Sequence, residues 1–331
     1  MQGRLPGWRG RRHLEGRVPR SSLCAAAPAE VGLFEGLIDR WAKAASLAPS
    51  LANALARTSA AKWAAGIDHR ANLPAFAKQT FRARFRSGPS RTGERVLLWP
   101  DTFNNHFRPE TLLAAAELLH LGGFEVAIPE KQFCCGRPLY DWGFLDRAKR
   151  YLERILHALG KDIAAGTPIV VLEPACASVF KDELLNLLPE RDDARRLSKQ
   201  VLFISDFIAA RLDRFPELWT GGSALVQPHC HHHAIIGFDE EQRLLDAMKI
   251  AVERPRQGCC GMAGAFGMAR ESFDTGKAIG ERVLLPRVRE LDANALILAN
   301  GFSCREQIEF HGGRKTTHIA ELLRDRAVRR R

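Results

Sequence analysis

The motif Cys-Cys-Gly occurs twice in this chain of 331 residues, at 134–136 and at 259–261. Two adjacent cysteines followed by glycine are an unusual pair of buried apolar residues, because glycine lets the backbone come close to whatever the sulfurs hold. Seven of the eight cysteines lie in these pairs or near the ends of predicted strands, and only Cys24 stands apart. This clustering favours metal binding or redox chemistry over a framework of structural disulfides.

The two motifs occupy corresponding places in an internal duplication. A short apolar run ends at Pro100 in the first half and at Pro228 in the second, and a later run is followed by Cys176 or by Cys304. The offsets for the prolines, the Cys-Cys pairs and the later cysteines are 128, 125 and 128 residues, so only small insertions separate the halves. We therefore expect two tandem units of about 100 residues, here called copy one and copy two.

Each copy has the pattern of an α/β unit. Copy one is predicted to contain strands at 96–99, 124–128 and 168–173 and helices at 109–121 and 144–159. Copy two is predicted to contain strands at 224–226, 249–252 and 295–299 and helices at 239–248 and 272–291. Short apolar runs bounded by Pro or Gly are typical of buried parallel strands. The predicted fold class is α/β, with two tandem, pseudo-repeated units of short parallel sheets flanked by helices.

A short helical segment is expected before the two copies. Apolar residues recur at helical spacing between residues 31 and 65, and Pro49 interrupts them, which predicts two helices followed by an irregular linker. We predict that residues 1–30 are disordered and that residues 31–94 form the helical segment and its linker. The degenerate copy one is predicted in 95–215, copy two in 222–325 and a basic tail in 326–331.

Charge and hydropathy argue against several classes of protein. The net charge of +11 comes largely from arginines near the two ends, which is typical of solvated tails and not of a nucleic-acid site. A membrane span is not expected, since no apolar run reaches about 18 residues. A secretory leader is not expected either, since no charged segment followed by an apolar one is found. The predicted location is the cytoplasm, at the inner face of the membrane if partners hold the chain there.

Copy two could supply four thiolate ligands. Ligands of α/β sheets bind outside the carboxyl ends of the strands, and Cys230, Cys259, Cys260 and Cys304 all follow predicted strands. Four thiolates match the ligand number of a [4Fe–4S] cluster and equally that of an all-cysteine zinc site. The sequence therefore predicts a metal centre in copy two and leaves iron and zinc as alternatives.

Copy one is the poorer set. It offers Cys134, Cys135 and Cys176, but Thr102 stands where copy two has the first cysteine of its set. A metal bound there would need Asp101, His106 or an outside ligand to complete its shell, so we expect this site to be degenerate.

The repeated order of a cysteine, a Cys-Cys-Gly motif and a later cysteine resembles the cysteine-rich CCG domain. That domain is shared by heterodisulfide reductase B-type subunits, the iron–sulfur subunits of glycolate oxidase and anaerobic glycerol-3-phosphate dehydrogenase, and lactate-utilisation proteins. Residues 101–105, 134–141 and 258–266 are most similar to the C-terminal end of FAD-linked oxidases that act on 2-hydroxy acids such as lactate or 2-hydroxyglutarate. The resemblance covers roughly residues 31–325. It implies an iron–sulfur module that passes electrons from flavin and ferredoxin clusters to a respiratory acceptor.

The chain departs from the family pattern in three ways. The last cysteine of the family motif is replaced by Val179 in copy one and by Gln307 in copy two. The ferredoxin cysteine run is absent, and so is a Gly-rich phosphate loop for flavin. We therefore expect FAD and the ferredoxin-like segment on a partner chain or a missing domain. The chain would then be a truncated or separate component that is inactive alone.

Four further residues are candidates for tuning the metal centre. His229 and His231 flank the first cysteine of copy two, and Arg137 and Arg270 follow the two Cys-Cys-Gly motifs. Histidines there could donate hydrogen bonds or pass protons, and a cation would lower the pKa of nearby thiols. The plainer interpretation is a set of loop histidines and surface ion pairs.

Two other functions stay open from the sequence. One is a zinc-holding or metal-free structural domain that docks a flavoprotein. The other is a thiol-disulfide enzyme of the heterodisulfide reductase type.

Overall fold

The computed structural model describes residues 29–86, 93–215, 221–256 and 259–328. The predicted disorder of the first 28 residues, Cys24 and the last three residues of the predicted basic tail lie outside the described residues. Residues 29 and 30, the end of the segment expected to be disordered, begin the first helix.

Four short helices, and not the two predicted, occupy residues 29–64, and a fifth follows in the linker. They are α1 (Ala29–Gly36), α2 (Ile38–Ala45), α3 (Pro49–Ala56), α4 (Ser59–Ala64) and α5 (Phe81–Arg84). Pro49 begins α3, where its missing N–H leaves no bond unmade. The Thr58 hydroxyl accepts a hydrogen bond from the Ala61 N–H and caps α4. Pro49 and the Thr58 cap therefore divide residues 29–64 into separate helices, although the spacing of their apolar residues is nearly continuous.

Copy one contains a four-stranded parallel sheet in the order β2-β1-β3-β4. The strands are β1 (Arg95–Leu98), β2 (Glu125–Ala127), β3 (Ile169–Val171) and β4 (Val201–Phe203). Leu97 of β1 lies opposite Ile169 of β3, which lies opposite Val201 of β4. The side chains of β3 are all buried, as expected for a parallel strand covered on both faces. Strand β4 was not predicted, because its three residues join helices on both sides without a turn residue.

Helices surround this sheet. They are α6 (Thr102–His106), α7 (Pro109–Leu121), α8 (Arg137–Asp141), α9 (Leu145–Ala158), α10 (Gly160–Ala165), α11 (Pro174–Ser178), α12 (Leu184–Leu187), α13 (Asp192–Gln200) and α14 (Ile204–Ala209). A π-helical turn at Val179–Glu183 joins α11 to α12, and a 3-10 turn at Leu212–Arg214 follows α14. The long helices α7 and α9 match the predicted ranges within one residue at either end.

Copy two repeats the arrangement with three parallel strands in the order β6-β5-β7. The strands are β5 (Ser223–Gln227), β6 (Ala251–Glu253) and β7 (Leu296–Ala299). A single parallel bridge between Leu298 and Thr317 takes the place of a fourth strand. The π-helical turn His232–Ile236 and helices α15 (Asp239–Ala247), α16 (Phe273–Glu281), α17 (Leu284–Glu290), α18 (Phe302–Gly312) and α19 (Ile319–Val328) complete the copy. The predicted α/β class with two short parallel sheets is confirmed.

The helix predicted over 272–291 is wrong as a single element. It is interrupted between α16 and α17 at Arg282 and Val283, and Val283 has φ −148° and ψ −51°. The cause is Pro286, which lacks an N–H and whose ring would clash with the carbonyl four residues earlier, that of Arg282.

The two copies share one hydrophobic core and exchange polar contacts. The largest cluster of buried apolar side chains contains residues from both sheets. Helix α19 of copy two packs along α7 of copy one, where the Thr111 hydroxyl donates to Glu321 and Arg324 pairs with Glu117. Among the described residues, no helix combines the length and apolar character needed to cross a bilayer.

A buried amide ties the end of β7 to two helices and gives a test of this packing. Asn300 Nδ2 donates to both carboxyl oxygens of Glu241, at 2.9 and 2.7 Å, and its Oδ1 accepts from the Ile319 N–H at 2.9 Å. Replacement of Asn300 by Ala removes the acceptor of the Ile319 N–H and both bonds that the amide donates to the buried Glu241. We expect the free energy of unfolding, measured by urea denaturation, to fall by about 3 kcal/mol.

The matched control is Asn186→Ala, which removes an exposed amide that bonds Asp182. This change should alter the free energy of unfolding by less than about 0.5 kcal/mol. Equal losses in the two variants would contradict the role assigned to the buried amide.

Candidate metal centre

Each cysteine set lies at the carboxyl edge of its sheet. In copy two, Cys230 follows β5, the Cys259-Cys260 pair follows β6, and Cys304 lies in the first turn of α18 after β7. Because β5 is flanked by β6 and β7, three strand ends bring these segments together. Copy one repeats this layout with β1 in the centre and β2 and β3 beside it.

The four thiols of copy two form a continuous series of contacts. Cys230 interacts electrostatically with Cys259, Cys259 is hydrogen-bonded to Cys260, and Cys260 is hydrogen-bonded to Cys304. None of the four forms a disulfide bond. The bond to Cys260 and then burial raise the pKa of Cys259. The bond to Cys259 lowers the pKa of Cys260, but the bond to Cys304 and burial outweigh it.

The raised pKa values of Cys230, Cys259 and Cys260 keep these three thiols neutral, and they would release protons on binding a metal. The donor set itself fits either a [4Fe–4S] cluster or zinc, since both accept four thiolates.

Copy one has the same series with one sulfur missing. Thr102 lies close enough to Cys134 to lower the pKa of its thiol, and Cys134 is hydrogen-bonded to Cys135. The Cys176 Sγ lies 3.0 Å from the Cys135 Sγ. Its members thus correspond one by one to those of copy two. The bond to Cys135 and burial raise the pKa of Cys134, whereas Thr102 acts in the opposite direction. The structure places Thr102 in the position that the alignment of the copies predicted.

The glycine of each motif is required by the backbone. Gly136 and Gly261 have φ +89° and +97°, which side-chain-bearing residues rarely adopt. At Gly261 a Cβ atom would also lie 2.1 Å from the carbonyl oxygen of Gly276. The motif therefore turns its loop sharply while holding two adjacent sulfurs against the sheet edge.

Neutral imidazoles flank the first cysteine of copy two. One ligating atom from each of His229, Cys230 and His231 lies within 4.8 Å of the others. Burial lowers the pKa of His229 to about 3 and, with a contribution from Arg137, that of His231 to about 4. His231 Nε2 accepts from Arg137 Nη2 at 2.8 Å, so Nδ1 carries the proton. This buried Nδ1 has no hydrogen-bond partner among the described groups, which suits a donor to sulfur.

Arg137 connects the two copies at this point. Besides His231 of copy two, its guanidinium binds Glu183 and Asp141 of copy one, the latter at 3.0 Å. Its charge is one of the influences that lower the pKa of Cys230, although burial and Cys259 raise that pKa overall. The predicted cation therefore lies beside copy two's cysteine set, although it follows the motif of copy one.

Arg270 points elsewhere. Its guanidinium donates to the Trp63 carbonyl oxygen at 2.7 Å and lies 5.7 Å from the centroid of that ring. It thus fastens the loop after Cys260 to α4. Gln307 stands where the family motif has its last cysteine in copy two. Its buried side chain donates a hydrogen bond to the Gly276 carbonyl oxygen at 3.1 Å.

Sequence reasoning missed Glu173, which lies between the two cysteine sets. Its carboxyl group accepts from the Ala175 N–H at 3.2 Å and from the Phe302 N–H of copy two at 2.9 Å. Burial, followed by the nearby Asp101, raises its pKa to about 8. An acidic residue at the end of an otherwise apolar strand, three residues before Cys176, was the signal that could have found it.

Comparison with known proteins agrees with this duplication. The family model of the CCG cysteine-rich domain matches residues 101–181 and 227–309. A component of the anaerobic glycerol-3-phosphate dehydrogenase of Escherichia coli (strain K12) is 26% identical over 271 residues, which cover 78% of this chain and 66% of the relative. Lactate utilization protein A of Bacillus subtilis (strain 168) is 29% identical over 247 residues, which cover 70% of this chain and 100% of the relative.

A third relative is much longer than this chain. The D-2-hydroxyglutarate dehydrogenase of Pseudomonas putida is 25% identical over 243 residues, which cover 73% of this chain and 23% of the relative. The resemblance inferred from the cysteine pattern is confirmed, and each matched segment contains one of the two cysteine sets. The chain therefore carries two CCG cysteine-rich domains.

Proposed function

We propose that this chain is the iron–sulfur electron-transfer component of a flavin-dependent oxidoreductase of 2-hydroxy acids. Copy two would hold one [4Fe–4S] cluster through Cys230, Cys259, Cys260 and Cys304. The observation that carries this proposal is the continuous series of four cysteine side chains at one sheet edge. Two of the compared relatives are named as a dehydrogenase or a dehydrogenase component, which supports an oxidoreductase role.

Two of the four thiols lie in surroundings that suit a buried redox group, whereas Cys259 is half-buried and Cys230 is exposed. A bound cluster would supply one-electron transfer, and the protein would set its potential by burial, charge and hydrogen bonds to sulfur. Cys260 and Cys304 are 4% and 2% exposed, so solvent reaches them little. The His231 Nδ1–H offers an unused donor, and Arg137 places a cation beside the set.

Partners supply the remaining chemistry in this proposal. The flavin and ferredoxin-like clusters would belong to another chain or domain and deliver electrons to copy two, which would pass them to a respiratory acceptor. Such a partner could also hold the chain at the inner face of the membrane. Copy one would act mainly as a structural counterpart, because a hydroxyl replaces its fourth sulfur.

Paired cysteine variants test the site directly. The anaerobically purified chain should contain about four iron and four sulfide per molecule and give an EPR signal after dithionite reduction. Exchange of Cys259 and Cys260 for Ser should abolish both, because two of four ligands are lost. The matched variant with Cys134 and Cys135 exchanged for Ser should keep both. Zinc without iron would refute the electron-transfer proposal and favour the structural zinc alternative.

Restoring the missing sulfur tests why copy one is degenerate. Thr102 occupies the place that Cys230 has in copy two, so Thr102→Cys would complete a four-thiol set. We expect the iron content to rise from about four to about eight atoms per chain. Thr102→Ser, which keeps a hydroxyl, is the control and should not change it. An unchanged iron content in Thr102→Cys would show that the absent sulfur is not what limits copy one.

The potential of the cluster should depend on Arg137. A nearby cation favours the more negative reduced state, so Arg137→Gln should lower the midpoint potential. The expected shift is on the order of 50 mV, which is about 1 kcal/mol for one electron. Arg270→Gln removes an equal but exposed charge, and solvent screening should hold its effect to about 10 mV. The midpoint potentials are measured by EPR during a redox titration. Similar shifts of the potential in both variants would contradict a specific role for Arg137.

A further inference from the structure

A cavity lies between the helices before copy one and the loop that follows Cys260. Its volume is about 100 Å³, and its walls are largely aromatic. Ring centroids follow one another along the wall at 4.4 Å for Phe34–Trp41, 6.0 Å for Trp41–Phe76, 4.6 Å for Phe76–Phe107 and 5.8 Å for Phe107–Phe302. Met262 and Met268 add polarizable apolar surface.

Two carboxyl groups, those of Glu35 and Glu306, line this cavity, and Glu306 is already paired with Arg108 at 2.6 Å. Glu35 is 8% exposed, its Oε2 accepts from Trp142 Nε1 at 2.7 Å, and its Oε1 accepts from the Ala265 N–H at 2.9 Å. A carboxyl group has about four acceptor positions, so two remain for another partner. Burial raises the pKa of Glu35 to about 7, although the bond from Trp142 opposes the shift. Near neutral pH this group can therefore accept or donate a hydrogen bond.

The loop of copy two is shaped around Glu35. Gly264 has φ +67°, and a Cβ atom there would lie 2.4 Å from Glu35 Oε1. The preceding Ala263 also has a positive φ, of 37°, which is unusual for a residue with a side chain. The backbone thus accepts an unfavourable conformation while the Ala265 N–H points at the carboxyl group.

We propose that this cavity is a binding site for a flat, uncharged molecule with one aromatic ring, whose oxygen substituent forms a hydrogen bond with Glu35. The cavity, at about 100 Å³, has room for no more than a single ring, because an apolar cavity of about 150 Å³ in another protein holds one benzene molecule. Aromatic walls favour stacked and edge-on ring contacts, and a few polar groups in an otherwise apolar pocket fix the orientation of its ligand.

The cavity adjoins the cysteine set of copy two through the backbone. Met262 follows the Cys-Cys-Gly motif directly, and Ser303 precedes Cys304, and both residues line the cavity. A ligand here would contact the two segments that position these cysteines. The site itself needs no metal and does not depend on the proposed function.

Calorimetric titration with p-cresol and p-xylene tests the site on the full chain. At pH 8 p-cresol should bind saturably with a dissociation constant in the millimolar range or below. It should bind at least about tenfold tighter than p-xylene, which has the same shape without the hydroxyl. Glu35→Gln keeps the shape of the side chain but removes its charge and one acceptor oxygen, and should reduce the preference to below about threefold.

Two alanines of α3 provide a matched pair. Ala56 lines the cavity and Ala54 is exposed on the same helix, so Ala56→Phe should abolish binding and Ala54→Phe should preserve it. Circular dichroism verifies that each variant is folded; if Ala56→Phe is not, the Glu35→Gln result decides alone.

The proposal is wrong if p-cresol does not saturate the chain, if a folded Ala56→Phe variant still binds it, or if Glu35→Gln keeps the full preference. Since binding is measured independently of iron content, failure here leaves the proposed electron-transfer role untouched, and the reverse also holds.

Discussion

The buried carboxyl group of Glu173 fixes the two cysteine sets relative to each other. It accepts hydrogen bonds from the first turn of α11, which carries Cys176, and from the first turn of α18, which carries Cys304. A buried carboxyl group is tolerated only when its hydrogen bonds are made, and helix N-termini favour an acidic group. One side chain therefore links the end of β3 in copy one to the end of β7 in copy two. The shared hydrophobic core and the packing of α19 on α7 hold the two copies in this same arrangement.

The copies differ electrostatically as well as in the residue at the fourth position of the set, which is Thr102 in copy one and Cys230 in copy two. Asp101 and Glu173 lie near Cys176 and help to raise its pKa to about 12, together with burial and against the bond to Cys135. The corresponding positions of copy two are His229 and Gly301, and a Cβ atom at Gly301 would lie 2.3 Å from the His229 ring. Two acids are thus replaced by one neutral imidazole, with Arg137 close by. Copy two is the better environment for anionic sulfur ligands.

The sequence predicted the duplication and the sheet-edge position of the cysteines, because parallel strands bring their carboxyl ends to one edge. It did not reveal β4, whose three residues have no periodicity of their own. It also did not reveal the division of 272–291 at Pro286, or the divisions of 29–64 beyond the one predicted at Pro49. The orientation of Arg270 and the contact of Glu173 with Phe302 depend on how distant segments pack, which residue spacing within one segment does not encode.

The burial of copy one's thiols has a consequence for their reactivity. Cys135 and Cys176 belong to the main hydrophobic core, packed as small apolar side chains with pKa values raised far above neutrality. Neutral buried thiols are poor nucleophiles and resist oxidation. Copy one therefore combines a packed core with inert sulfurs although threonine stands in the fourth position, and one substitution would complete its set of thiols.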